Sequence, residues 1–154
     1  YQKDRTVSVL DAGCGTGLVG ALLKEAGFNK ICGADYSSEM LAVSEKKSIY
    51  DTLIKINLNE KLHWPDGTFG CVISSGAFTS SHVQIIAFRE LVRITKQDGF
   101  VCIAARDSYW KQEPFMELLA TMQVERRIDI HEIFTADYIQ SEGAKCKIFL
   151  AQVL

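Results

Sequence analysis

Three glycines at alternate positions follow a short apolar run near the start of the chain. Residues 7–10 read VSVL, which predicts a buried strand. They are followed by DAGCGTG over residues 11–17 and then by LVGALLKE over 18–25, whose apolar residues recur at helical spacing and predict a helix that ends near Gly27. A glycine turn between strand and helix lets backbone approach a ligand with no Cβ in the way, and it aims the free N–H groups of the helix at that ligand.

Two kinds of ligand fit this turn. Residues 15–20 read GTGLVG, the G-x-G-x-x-G spacing of dinucleotide sites. In such sites the pyrophosphate lies on the helix N-terminus, and Asp11, two residues before Gly13, would repel it. A carboxylate at that place suits a ligand with an ammonium group. S-adenosylmethionine (SAM) carries an amine and a positive sulfonium and has no phosphate.

An acidic residue also ends the second predicted strand, over residues 29–34. Asp35 lies twenty residues after Gly15, where dinucleotide sites hold the two ribose hydroxyls. A carboxylate accepts charge-assisted hydrogen bonds from both hydroxyls. SAM sites share this feature, so Asp35 alone does not separate the two ligands. Its other interpretation is an acid at the start of a helix that Ser37 or Ser38 caps.

Four segments resemble the class I SAM-dependent methyltransferases. Residues 11–17 match the signature D-x-G-x-G-x-G, and DYSSEML over 35–41 matches D-x-S-x-x-M-L. The turn WPDGTF over 64–69 is similar to the family's segment before its fourth strand. ELVRITKQDG over 90–99 is similar to the family's helix, turn and fifth-strand entry. The resemblance covers nearly the whole chain from Val7 onward.

The resemblance implies the fold. It predicts an α/β, Rossmann-like doubly wound sheet of seven strands in the order 3-2-1-4-5-7-6, with the last strand antiparallel. At 154 residues the chain is expected to be a single domain over 1–154. The family places one or two helices before its first strand as a lid. Because only residues 1–6 precede that strand, we expect the N-terminal lid helices to be lacking.

The resemblance also implies which residues contact SAM or its product S-adenosylhomocysteine (SAH). The glycine turn would hold the methionine end, the acid after strand two the ribose, the end of strand three the adenine, and the end of strand four the region where the methyl group meets its acceptor. The residues expected to bind the cofactor are Asp11, Gly13, Cys14, Gly15, Thr16, Gly17, Asp35, Tyr36, Met40, Asn57, Leu58, Ser75 and Gly76.

No catalytic base is required by this chemistry, because the leaving group is already good and positioning supplies much of the rate. Polar residues near the ends of strands four and five are the catalytic candidates: His82, Asp107 and Tyr109. All three also fit solvated loop positions. The methyl acceptor is expected to be a small molecule or a protein.

Further elements are predicted along the chain. Strands are expected over 52–58, 71–75 and 101–105, and a terminal β pair over 128–139 and 146–154, joined around residues 141–143. One amphipathic helix is expected over 85–94, and Pro114 starts another that runs through Met122.

Composition excludes several classes of function. A net charge of −2 gives no electrostatic signature of nucleic-acid binding, and no apolar run reaches transmembrane length. The five cysteines form no C-x-x-C pair, so neither a zinc site nor any other metal is expected. Scattered thiols of this kind favour an intracellular, cytoplasmic protein.

Two rival functions stay open at this point. An NAD-dependent oxidoreductase is supported by GTGLVG and Asp35, but Asp11 opposes it and the chain has no Tyr-x-x-x-Lys pair. A non-catalytic subunit with a SAM-binding fold is supported by Asn57, which stands where the family usually has Asp, and by the lack of a catalytic signature.

Overall fold

The computed structural model describes residues 4–79, 82–112, 114–139 and 144–154. Its strands are β1 Ser8–Ala12, β2 Lys30–Asp35, β3 Thr52–Lys55, β4 Phe69–Ser75, β5 Thr95–Arg106, β6 Ile128–Ile139 and β7 Ala144–Val153. Its helices are α1 Leu18–Glu25, α2 Ser38–Glu45, α3 Ala87–Ile94, α4 Asp107–Gln112 and α5 Phe115–Val124. No helix in these ranges is long and apolar enough to cross a membrane.

All seven strands form one sheet in the order β3-β2-β1-β4-β5-β7-β6. The pairs β1–β2, β1–β4, β2–β3 and β4–β5 are parallel, whereas β7 runs antiparallel to both β5 and β6. This confirms the predicted fold class, strand order and antiparallel last strand.

Apolar side chains fill both faces of the sheet, because alternate residues of a strand point in opposite directions. On one face Leu10 is fully buried in a large cluster with Phe88 of α3 and Leu119 of α5. On the other face Val9 packs in a smaller cluster with Leu23 of α1. The helices therefore cover the sheet from both sides, as a doubly wound architecture requires.

Several element bounds differ from the predictions, and one helix was missed. The third strand ends at Lys55 rather than at Leu58, because the Asn57 side chain accepts the Asn59 backbone N–H at 3.1 Å and closes a turn. The fifth strand is longer than predicted and begins at Thr95. The six-residue helix α4 was missed, since it is too short to show a helical period. The predicted turn over 141–143 lies outside the described residues.

The topology brings the candidate residues together. Parallel strands end at the same edge of a sheet, so the loops after β1, β2, β4 and β5 meet there. Residues 13–17, Asp35, Ser75 and Asp107 lie in or beside these loops. Residues 4–7 form no helix ahead of β1, and the missing lid stays a prediction.

Candidate functional site

The glycine turn is anchored on the neighbouring strand. The backbone N–H groups of Gly13 and Cys14 both donate to the carbonyl of Ala34 at the end of β2, at 2.7 and 3.0 Å. The turn closes through a bond from Gly17 N to Cys14 O at 2.9 Å, and Gly17 lies in the left-handed region at φ 84°. These hydrogen bonds fix the position of the first residue of α1 relative to the sheet.

Asp35 connects this turn to the next loop. Its Oδ2 accepts the Gly15 backbone N–H at 2.8 Å, and its Oδ1 accepts the Ser37 backbone N–H at 2.9 Å. Each carboxylate oxygen can accept a second hydrogen bond, and the side chain is half-buried at the edge of the sheet. Asp35 is therefore placed to receive two further donors, such as a pair of hydroxyl groups.

The space over Gly15 is open, whereas the spaces beside the other two glycines are filled. A Cβ on Gly13 would lie 2.5 Å from the Ala77 Cβ, and one on Gly17 would lie 2.9 Å from the Ser44 Oγ. A Cβ on Gly15 would meet no atom of the described residues within 4 Å. Gly15 thus presents bare backbone to an open surface directly beside the Asp35 carboxylate.

Two other turn residues contribute differently. Cys14 is buried, and burial raises the pKa of its thiol to about 12, so the thiol stays protonated at neutral pH. Thr16 is half-buried beside Gly15. The turn therefore carries no charged side chain of its own.

Asp11 lies below the turn with a buried carboxylate. It is 1% exposed, and its Oδ2 accepts the Tyr50 hydroxyl at 2.7 Å. Its Oδ1 has no hydrogen-bond partner in the described part of the chain. Burial raises the pKa of Asp11 to about 6, although the Tyr50 hydroxyl and the Gly20 backbone amide act in the opposite direction. Asp11 is predicted to hold the methionine end, and this role stays a prediction.

Tyr50 was missed by the sequence reasoning. Its ring occupies a slot between three glycines: a Cβ on Gly33 would lie 3.0 Å from it, one on Gly17 3.3 Å, and one on Gly20 would overlap the ring and hydroxyl. The third glycine of GTGLVG thus makes room for a tyrosine. No local pattern reveals this contact, because Tyr50 and Asp11 are 39 residues apart.

Asn57 and Leu58, predicted to hold adenine, and Tyr36 and Met40, predicted to bind the cofactor, lie in and after the loops that follow β2 and β3. The Asn57 side chain donates to Glu60 Oε1 at 2.8 Å while it accepts from Asn59, and Leu58 is buried. Tyr36 is 70% exposed, with the Lys55 Nζ 5.8 Å from its ring centroid. Met40 is 45% exposed. Their contact with a ligand stays a prediction.

The catalytic candidates are all engaged in local contacts. His82 Nδ1 lies 2.7 Å from the Thr79 hydroxyl. Asp107 pairs with Lys111 at 2.7 Å, and hydrogen bonding to that ammonium lowers the pKa of the carboxyl. Tyr109 is 3% exposed and donates its hydroxyl to the Val83 carbonyl at 2.8 Å. The structure thus gives Tyr109 a place in the core.

The end of β4 faces the same edge as the glycine turn. Gly76 adopts a positive φ of 79° and donates its backbone N–H to the Ala104 carbonyl at 3.3 Å, and Ser75 beside it is half-buried.

Within the described ranges, no group of three or more His, Cys, Asp or Glu side chains comes close enough to hold a metal ion.

Comparison with known proteins identifies the family. The family model described as "methyltransferase domain" matches residues 10–103, more than half of the chain. The fold and this match place the chain among the class I SAM-dependent methyltransferases, and it belongs to the methyltransferase domain family.

Two curated relatives show how much of a longer protein the chain resembles. It is 39% identical over 99 residues to methyltransferase-like protein 27 of Homo sapiens, covering 64% of this chain and 40% of that protein. It is 28% identical over 100 residues to the ribosomal protein L11 methyltransferase of Thermotoga maritima, covering 63% of this chain and 36% of that protein. The chain therefore spans less than half the length of these relatives.

Solved structures share the fold at low sequence identity. A SAM-dependent methyltransferase from Mesorhizobium loti superposes with a TM-score of 0.73 at 16% identity, covering 96% of this chain and 91% of that one. Magnesium protoporphyrin IX methyltransferase from Synechocystis, solved with bound SAM, gives 0.74 at 16% identity, covering 97% and 71%. At these identities the likeness concerns the fold.

Proposed function

We propose that this chain binds SAM and transfers its methyl group to an acceptor. The observation that carries the proposal is the junction of Asp35 and Gly15. The carboxylate and the bare glycine backbone lie side by side at the carboxyl edge of the sheet, below an open surface. A nucleoside with two ribose hydroxyls fits this arrangement, since both oxygens of Asp35 keep a free acceptor position.

The charge of the site favours a cationic ligand. Asp11 carries a buried carboxylate whose Oδ1 lacks a partner among the described residues, and Asp35 adds a second negative charge nearby. A buried carboxylate with one oxygen unpartnered and no cation beside it is costly, so an ammonium or sulfonium at the turn would offset that cost. A pyrophosphate would instead add negative charge beside two carboxylates. The fit is therefore to SAM rather than to NAD.

SAM supplies a methyl group on a sulfonium, which makes it electrophilic without help from a base. The protein's part is then to bind and orient. In this proposal Asp35 fixes the ribose, the turn over 13–17 supports the methionine end, and residues 57–58 with Tyr36 and Met40 border the adenine. Ser75 and Gly76 border the acceptor side. Positioning of this kind supplies up to about 7–11 kcal/mol of the barrier.

We propose a small molecule or a protein as the acceptor. The net charge of −2 gives no electrostatic support for a nucleic acid as the acceptor.

We also propose an intracellular, cytoplasmic location. The five cysteines are free thiols, which supports it.

Calorimetric titration with SAH, SAM and NAD tests the proposal. We expect SAH and SAM to bind, and SAH to raise the melting temperature with the logarithm of its concentration above Kd. NAD is expected to do neither. Binding of NAD without SAH would refute the proposal. Incubation with SAM labelled on its methyl group, followed by a screen of small-molecule and protein acceptors, then separates an enzyme from a non-catalytic subunit.

A further inference from the structure

We propose that Tyr50 is a positioning residue of the cofactor site, which holds the glycine turn and the Asp11 carboxylate in the arrangement that binds the ligand. Tyr50 lies between α2 and β3. In the described contacts, neither its ring nor its hydroxyl reaches the open surface over Gly15. Its effect on a ligand is therefore transmitted through other residues. This inference rests on the proposed SAM binding.

The first argument is steric. The Tyr50 ring packs against Gly17 in the turn, Gly20 in α1, which follows the turn directly, and Gly33 in β2, which is separate from both in sequence. Each of these glycines leaves space for the ring, and a Cβ on any of them would reduce or fill that space. The ring thus sets the distance between α1 and β2. Because the glycine turn leads directly into α1, the ring also sets the position of the turn. Packed interiors transmit small displacements, so a change at Tyr50 shifts the turn.

The second argument concerns the charge on Asp11. The described groups that face its carboxylate are the Tyr50 hydroxyl, the Gly20 backbone amide, the Cys14 thiol and the Asp35 carboxylate. The hydroxyl and the amide favour the ionised form of Asp11, whereas burial and the negative charge of Asp35 oppose it. Cys14 stays neutral because burial and both carboxylates raise the pKa of its thiol. Tyr50 supplies the only side-chain hydrogen bond to Asp11 among the described contacts.

Tyr50→Phe separates these contributions, because it keeps the ring and removes only the hydroxyl. Without that donor the pKa of Asp11 rises, so less of the carboxylate is ionised at neutral pH. The SAH ammonium then meets a weaker negative field. We expect the midpoint of the pH dependence of SAH affinity to move up by about one pH unit, from a wild-type value near 6. The ionised fraction of Asp11 then falls by about twofold at pH 7 and by about ninefold at pH 5, and we expect SAH affinity to fall by the same factors.

The experiment measures the Kd of SAH by calorimetry from pH 5 to pH 8.5 in the wild-type chain and in Tyr50→Phe. Thr95→Val is the matched control: it removes a buried hydroxyl that donates to the Leu91 carbonyl at 2.7 Å, at the start of β5 and away from the site. We expect Thr95→Val to lower stability and to leave the affinity and its midpoint unchanged. A purely structural role for Tyr50 predicts the same behaviour for Tyr50→Phe.

The outcomes are distinguishable. Lower affinity with an upward shift of the midpoint supports the positioning role. Unchanged affinity and midpoint, in a chain that binds SAH, overturn that role and leave the proposed function standing. Absence of SAH binding by the wild-type chain refutes the proposed function and the positioning role together. Should Tyr50→Phe not fold, Gly20→Ala is measured instead, because its Cβ would overlap the Tyr50 ring and hydroxyl. Lower SAH affinity with a raised midpoint in that variant supports the role, and unchanged affinity and midpoint overturn it.

Discussion

The carboxylate of Asp35 holds the Gly15 backbone N–H at 2.8 Å, twenty residues away along the chain. With its other oxygen it holds Ser37 at 2.9 Å, so one side chain joins the loops that follow β1 and β2. Asp35 therefore serves the fold and the proposed ribose contact together. At the opposite end of β2, Asp51 accepts the Ile31 backbone N–H at 2.7 Å. Substituting each aspartate in turn therefore separates the effect of Asp35 on the stability of the fold from its effect on ligand binding.

Asp35→Ala is expected to weaken SAH binding by tenfold or more. Two hydrogen bonds from ribose hydroxyls to a carboxylate would be lost, each worth about 1.5–3 kcal/mol. The bonds to Gly15 and Ser37 are lost as well, so the free energy of unfolding also falls. Calorimetry gives the affinity and urea unfolding gives the stability.

Asp51→Ala is the control for this prediction. It also removes a backbone hydrogen bond at an end of β2, but at the edge of the sheet remote from the glycine turn. We expect it to lower stability while the folded protein keeps its SAH affinity. Equal losses of affinity in the two variants would mean that Asp35 acts only through the fold.

Asp11→Asn is expected to stabilise the folded chain at neutral pH and to weaken SAH binding. The pKa of Asp11 in the folded chain is about 6, above its ordinary value of 3.8, so the folded state binds more protons between these values. Stability of the wild type therefore falls as pH rises from about 4 to about 6. Since one pKa unit corresponds to about 1.4 kcal/mol, the variant gains up to about 3 kcal/mol above pH 7.

Urea unfolding of the wild type and Asp11→Asn at pH 4.5 and pH 7.5 measures this difference. We expect the gap in unfolding free energy to widen at the higher pH. A gap that is the same at both values would show that Asp11 does not titrate in this range. The comparison isolates Asp11, because every other titrating group is common to the two chains.

The sequence predicts what local patterns and spacing determine. The strand, turn and helix over 7–25 follow from residues that are neighbours in the chain, and so does the acid after β2. The Asp11–Tyr50 pair was missed, because burial in a folded core brings together residues 39 positions apart. Tyr109 is of a residue type that can take part in catalysis, yet its hydroxyl donates a hydrogen bond to the Val83 carbonyl. Which polar group faces the core depends on packing, which one sequence does not display.

Gly20→Ala is expected to lower the free energy of unfolding by about 1–3 kcal/mol, because the new Cβ overlaps the Tyr50 ring and hydroxyl. Helix propensity alone predicts the reverse, since alanine inside a helix such as α1 is favoured over glycine by about 1 kcal/mol. The sign of the change therefore decides between the two effects. Urea unfolding measures it, and a stabilised variant would show that the Tyr50 slot is not a close fit.

Gly15→Ala is expected to separate binding from stability. In the part of the chain that the structure describes, a Cβ at this position meets no atom within 4 Å, so the expected cost is the strain of a positive φ of 53°, about 1–2 kcal/mol. Its methyl group projects into the open space beside Asp35, where the proposed ligand lies. We expect SAH affinity to fall by tenfold or more, since the backbone no longer approaches the ligand closely.

The matched control for Gly15→Ala is Gly67→Ala, in the turn before β4. Gly67 has a similar positive φ of 63°, and a Cβ there would lie 3.6 Å from the nearest atom, the Lys96 Cα, which is ordinary contact. This glycine precedes β4, so it lies at the opposite edge of the sheet from the candidate site. Both variants are therefore expected to lose similar stability in urea, while only Gly15→Ala loses SAH affinity in calorimetry. Equal SAH affinities in the two variants would mean that the ligand does not lie over Gly15.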